Sequence, residues 1–166
     1  MSEQVVIDSL EFATTHSELH GKITASGLPR IQDLLSSGEG LIEYSLFGDV
    51  NEKGKPVLQL DVKGKLPLQC QRCLGPMVYD VGFSSRLELV KGLDQLPEHG
   101  EEEDKVDQIE ADPKLDVLAL VEDEILLGLP IAPRHPEGEC EIGGNLNEKS
   151  GSNKPFGVLA NLKRKS

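Results

Sequence analysis

The sequence predicts an α+β fold, an antiparallel β-meander packed against one long and one or two short helices. Two patterns, in this order along the chain, predict it. Between residues 39 and 91 apolar residues recur at every second position, and over 115–128 they recur with helical spacing. The connections within the first region are short, as hairpin-linked antiparallel strands require.

Taken in order, residues 4–12 alternate loosely and read as a first strand, and Lys22 to Ser26 as a second. Leu28, Ile31 and Leu34/Leu35 have helical spacing, with Pro29 suited to a first turn, so residues 28–35 read as a short helix stopped at Ser36-Ser37-Gly38. Ile42, Tyr44 and Leu46 share one face of the next strand. Asn51-Glu52-Lys53-Gly54 is a turn signal, and Leu58, Leu60 and Val62 line the returning strand. After the Cys70–Pro76 segment, Tyr79, Val81 and Phe83 share a face, continued by Leu87 and Leu89. Residues 98–112 carry eight Asp or Glu and read as a solvated acidic run, with Val106 and Ile109 able to form a short edge strand. Asp112 as N-cap and Pro113 at N1 would start a helix over Leu115–Leu127, ended by Gly128 and Pro130. Its Leu118, Val121, Ile125 and Leu126 should cover the sheet.

A chain of 166 residues is one domain with tails, and it can bury roughly two-thirds of its unfolded surface without disulfides. We place the α+β domain at 1–133. A flexible loop rich in Gly, Pro, Asn, Ser and Glu follows at 134–153, and a short apolar segment with a basic C-terminal tail at 154–166. No apolar run approaches the roughly 20 residues that span a bilayer, and the acidic N-terminus precedes no apolar signal segment. Three cysteines, an odd number, argue for a reducing cytoplasm and against a secreted disulfide framework.

The formal net charge is −12, and the +4 of Lys154, Lys163, Arg164 and Lys165 leaves −16 on the remaining residues. Affinity for bare RNA comes mostly from cations that neutralise phosphates, so such a body is expected to avoid nucleic acid and to attract a basic protein. Lys163, Arg164 and Lys165 could touch RNA or anchor a partner. Phe156, Val158 and Leu159 would dock either on the protein's own core or on that partner.

Several enzyme templates are missing: no phosphate-binding Gly loop, no GxGxxG, no GxSxG. His16, His20, His99 and His135 all lie in polar segments. No catalytic residue is expected. Cys70-Gln71-Arg72-Cys73 is the sharpest local signal, because two intervening residues let both thiolates reach one ion from a tight turn. Three readings stand: two reduced structural thiols, a zinc site of Cys70, Cys73, His135 and Cys140, or a redox pair. The last fits least, because redox CxxC motifs belong to βαβ units and this one joins antiparallel strands. Glu122-Asp123-Glu124 interrupts the long helix. Three consecutive residues span roughly 200° of a helix, so at least one lies near the buried face. They read as a solvent face, or else as a partner-binding surface or a set of carboxylates matched by a cation within the fold.

Three stretches resemble the YceD family. They are residues 68–76 (LQCQRCLGP), 115–133 (LDVLALVEDEILLGLPIAP) and 154–165 (KPFGVLANLKRK), in matching order and separation. The resemblance implies a bacterial, non-enzymatic factor needed for synthesis, processing or stability of large-subunit ribosomal RNA. Taken with the charge distribution, this points to ribosome-assembly or rRNA-processing proteins as partners, a basic ribosomal protein among them, with the RNA contacted indirectly and no membrane involved; a direct RNA binder using the basic C-terminal tail is the alternative. Many members look like zinc proteins, with a second cysteine cluster before a Cys-Gly-x-Asn-Leu-Asn stretch. Here Gly143 stands where that cysteine would be, so the resemblance implies little or no zinc and no other cofactor.

Overall fold

The computed structural model describes residues 5–92 and 106–140. A five-stranded sheet in the order β2-β3-β4-β5-β6 organises them, built from Glu18–Thr24, Leu41–Val50, Pro56–Gln69, Pro76–Val90 and Asp107–Glu110. The first four strands are an antiparallel meander, as the period-two pattern predicts. Asn51 makes the β3–β4 turn. Its side-chain oxygen accepts from the Lys53 and Lys55 amides, and Gly54 takes φ +74°, a conformation open to glycine.

The buried face follows the alternation: Ile42, Tyr44 and Leu46 on β3, Leu58, Leu60, Val62, Leu66 and Leu68 on β4, Val81 and Leu87 on β5. Helices cover this face. Val117, Leu120, Val121 and Ile125 of α2 (Val117–Gly128) are buried in the same core. Burying each such side chain contributes about 1.5–3 kcal/mol. Leu118 and Leu126 are partly buried against it.

The ends of the elements differ from the sequence expectations. Residues 4–12 are not one strand. Val6–Ile7 (β1) pairs with Leu115–Asp116 (β7), and α1 (Ser9–Thr14) follows because the Asp8 side chain accepts from the Glu11 amide and caps it. Residues 29–34 are helical, but as a 3₁₀ turn. The long helix starts later than expected, capped by Asp116, whose carboxylate accepts from Leu118 and Ala119. Asp112 closes a local turn with the Lys114 amide instead, because Leu115 is committed to pairing with Ile7. β6, anticipated around Val106 and Ile109, lies parallel to β5. The buried Glu88 carboxylate fastens it by accepting from Gln108 at 3.0 Å, and it also holds Lys55 at 2.6 Å.

Residues 134–140, assigned by composition to a flexible loop, run back to the β4–β5 turn. The rest of that loop, 141–153, the basic tail and the acidic stretch 98–105 lie outside the described residues.

Candidate metal centre

The β4–β5 connection is a tight turn, because Cys70 donates its amide to the Gly75 carbonyl and Leu74 donates to that of Cys70, both at 2.9 Å. Leu74 must take φ +60° to close it. That conformation costs a non-glycine residue roughly 1–2 kcal/mol, and it turns the Cys70 and Cys73 side chains to one side. Leu74 itself stays 64% exposed.

The second half of the site arrives from beyond α2. The Gln71 amide donates to the Pro133 carbonyl at 2.8 Å, which pins the returning chain against the turn. His135 and Cys140 then meet the two thiols. The ligand atoms of Cys70, Cys73, His135 and Cys140 all lie within 4.8 Å of one another. Cys70 Sγ and Cys140 Sγ are 3.7 Å apart, Cys73 Sγ and His135 Nδ1 3.4 Å, Cys140 Sγ and His135 Nδ1 3.7 Å.

These separations test the fit of a metal. A tetrahedral zinc with bonds of about 2.3 Å to sulfur and about 2.0–2.1 Å to nitrogen has S···S edges of about 3.8 Å and S···N edges of about 3.6 Å. The set matches in donor type and number, and the three separations above lie close to these edges. His135 is also oriented as a ligand. Its Nε2 lies 3.0 Å from the Pro76 carbonyl, which can only accept, so the proton sits on Nε2 and the Nδ1 lone pair faces the sulfurs. The Arg72 amide donates to Cys70 Sγ at 3.4 Å.

Burial is the largest single influence on the Cys70 thiol and pushes its pKa up. Amides of Cys73, His135 and Arg72 and the Cys73 side chain outweigh it and bring the pKa to about 5. The Cys140 thiol is raised, first by burial and then by the neighbouring sulfurs. A depressed pKa stabilises the fold only where the thiolate persists. In reduced, metal-free protein the Cys70 contribution should be complete above the unfolded value of about 8.5 and vanish as pH falls through about 5. Unfolding free energy against pH, wild type minus Cys70→Ser, should rise over that window; a flat difference would refute the shift.

The acidic triplet of α2 is spent largely inside the fold. Glu122 is 3% exposed and accepts from the Arg30 amide at 2.5 Å. Asp123 pairs with the Arg30 guanidinium, and Glu124 accepts from the Ser85 hydroxyl. The triplet thus ties α2 to the 3₁₀ turn and to β5. Glu122→Ala should cost about 2 kcal/mol in urea unfolding, because it removes a buried carboxylate and leaves the Arg30 amide without its partner; a cost below 0.5 kcal/mol would place that amide in contact with water. Lys163, Arg164 and Lys165 fall outside the described residues.

Sequence reasoning supplied all four cluster residues. It missed the carbonyls of Pro76 and Pro133 that position them, for which no side-chain signal exists.

The site and fold together define a class, a small α+β domain with a Cys₃His cluster joining a hairpin turn to the segment after a covering helix. The family described as "Large ribosomal RNA subunit accumulation protein YceD" matches residues 58–163. The chain belongs to this YceD family, which is named for accumulation of large-subunit ribosomal RNA. The "Large ribosomal RNA subunit accumulation protein YceD" of Haemophilus influenzae (strain ATCC 51907 / DSM 11121 / KW20 / Rd) is 27% identical over 168 residues, covering 97% of this chain and 96% of the relative. No solved structure matches the chain. Among the described residues no helix is long and apolar enough to cross a membrane.

Proposed function

We propose that the chain is a non-catalytic factor in large-subunit ribosomal RNA accumulation that works through protein contacts, and that its Cys₃His cluster holds a structural zinc ion. The charge distribution carries the first part. A body at −16 is repelled by a polyribonucleotide at long range, and four tail cations release at most about four counterions, a log–log salt slope near −3 on single strands. That gives weak, unselective RNA binding. A basic protein is instead drawn to the acidic run at 101–104 and to the exposed side of Asp123. Apolar Leu74 and Ile131, exposed on the two segments that form the cluster, offer such a partner dry contact area.

The cluster would support that surface. Cys70, Cys73, His135 and Cys140 would hold the ion, which supplies no reaction but a crosslink between the hairpin and the segment after α2. The cysteine absent at Gly143 is not required, since His135 gives the fourth donor.

Titration against large-subunit RNA fragments at about 150 mM salt tests the contact model. Deletion of 154–166 is compared with charge reversal across 101–104, and a parallel pull-down identifies proteins retained. Weak RNA binding and a basic partner lost on charge reversal are expected. Tight, sequence-selective RNA binding that survives the reversal and disappears with the tail would overturn it.

A further inference from the structure

β2 is an edge strand. Among the described residues it pairs with β3 alone, in an unbroken register from Glu18 to Thr24. It has no bulge and no proline, two of the devices that blunt an edge. The hydrogen bonds at the ends of the pairing settle which residues face outward. The Ser17 carbonyl accepts from the Gly48 amide, and the Ala25 amide donates to the Gly40 carbonyl. Antiparallel pairs alternate, so odd-numbered residues bond β3, and the amides and carbonyls of Glu18, His20, Lys22 and Thr24 face outward. Inside the edge lies an open cleft of about 660 Å³, whose apolar lining includes Val5, Leu19, Ile23, Tyr44 and Leu118. Leu19 and Ile23 are half-buried, whereas Leu46 and Ile42, their partners on β3, are fully buried.

The charges of the strand indicate what covers it. β2 carries one acid, Glu18, and one base, Lys22, so it is formally neutral on a chain of net charge −12. His20 lies midway between them. Laid antiparallel to a copy of itself, the strand is its own complement. We propose that two chains associate through β2, around a two-fold axis at His20, into one continuous sheet.

The axis fixes the pairs: Glu18 with Lys22 of the second copy, His20 with His20, and Lys22 with Glu18. All are even-numbered, so all have backbone groups free to bond across the edge. Lys22 then lies between Glu43 of its own β3, 2.5 Å from its ammonium, and Glu18 of the second copy. Opposite charges directly across a strand pair stabilise it, and like charges destabilise it. The neighbouring registers set Glu18 against Thr24 or His20, and the next ones set Lys22 or Glu18 against itself. On the cleft side the same register places Leu19 of the second copy opposite Gly21, between Leu19 and Ile23. Gly21 has no side chain to obstruct it, and the Tyr44 ring, which lies over Gly21, gives it an apolar surface. This is a non-hydrogen-bonded pair, in which side chains approach most closely.

The interface is small. A strand this short buries well under the roughly 800 Å² per partner of a standard interface, so the dimer is weak and concentration-dependent. Long-range repulsion between two acidic chains is screened beyond about 8 Å at physiological salt.

Sedimentation velocity of the full, zinc-supplemented chain at about 150 mM salt, over a hundredfold range of concentration, tests this. Wild type should pass from monomer towards dimer within that range. Glu18→Lys and Lys22→Glu should each weaken the dimer about tenfold or more, because each sets like charges across the axis twice. The two variants mixed should associate with each other at least as well as wild type, since every cross pair is again opposite in sign. A chain that stays monomeric throughout overturns the proposal, as does a dimer indifferent to both charge reversals. Failure of the mixed variants to associate overturns the two-fold pairing at His20. No ribosomal partner enters the measurement, so it fails or succeeds separately from the contact model.

Discussion

Reduced protein purified with zinc should hold close to one mole of the metal per mole of chain, and Cys70→Ser, Cys140→Ser and His135→Ala should each abolish it. Three sulfurs and one oriented imidazole within 4.8 Å motivate this expectation. Removing one donor leaves an open coordination position and loses the tetrahedral closure of a structural site. Chelation should act locally, because the body has its own core in β3, β4, β5 and α2. The returning segment 133–140 contributes little to that core, so the ion would be its main anchor beside the Gln71–Pro133 hydrogen bond. At free zinc a hundredfold above the dissociation constant, linkage gives about 2.7 kcal/mol of stability, a fall of roughly 10 °C in melting temperature on chelation. Gly143→Cys should leave metal content unchanged. Metal content by atomic emission beside a melting curve checks all of this. A chain that purifies metal-free and takes up no added zinc would refute the structural zinc and return the cluster to reduced thiols, the reading favoured from the sequence.

Much of the fold was legible because one side of each strand meets water and the other a core. The alternation of Ile42, Tyr44 and Leu46, and of Leu58, Leu60 and Val62, reappears as buried positions. Element ends were less legible, since they depend on competition between local and distant partners. Asp112-Pro113 is a sound local helix start, but Leu115 pairs with Ile7, more than a hundred residues earlier, and moves the start to Asp116. Residues 4–12 fail as a strand for a similar reason, because Asp8 caps a helix whose Ser9 and Ala13 are buried. Glu122 shows the limit of composition. Nothing within the triplet distinguishes the buried carboxylate that meets the Arg30 amide from its half-buried neighbours, which meet the Arg30 guanidinium and the Ser85 hydroxyl. At the Cys₃His cluster the residue types were legible and their meeting was one of three readings, but what brings them together was not. The 133–140 segment is positioned by backbone carbonyls, whose partners leave no trace in residue identity.

Gly48→Val should be the most damaging single substitution outside the Cys₃His cluster, while Gly82→Ala should be harmless. Both glycines lie inside strands, where glycine ordinarily weakens pairing. Their surroundings are opposite. At Gly48 a Cβ would collide with the Phe12 carbonyl oxygen and come within 2.7 Å of the Ala13 Cα. Those are backbone atoms of α1 and cannot rotate aside. The Gly48 amide also donates to the Ser17 carbonyl at 2.8 Å, which fixes the chain just after α1 on β3. Valine would force α1 off the strand, uncovering Ala13 and Ser9 and straining that bond. Overpacking typically costs 1–3 kcal/mol, and loss of the helix contact adds to it, so a cost of about 4 kcal/mol is expected. At Gly82 nothing lies within 4 Å of the added atom, and its φ is not in the left-handed region. Alanine there restricts the unfolded chain and should stabilise by up to about 1 kcal/mol. Urea unfolding of the two variants beside wild type decides it through the midpoints at unchanged slope. A Gly48→Val protein within 1 kcal/mol of wild type would mean that α1 does not rest on β3 at this point.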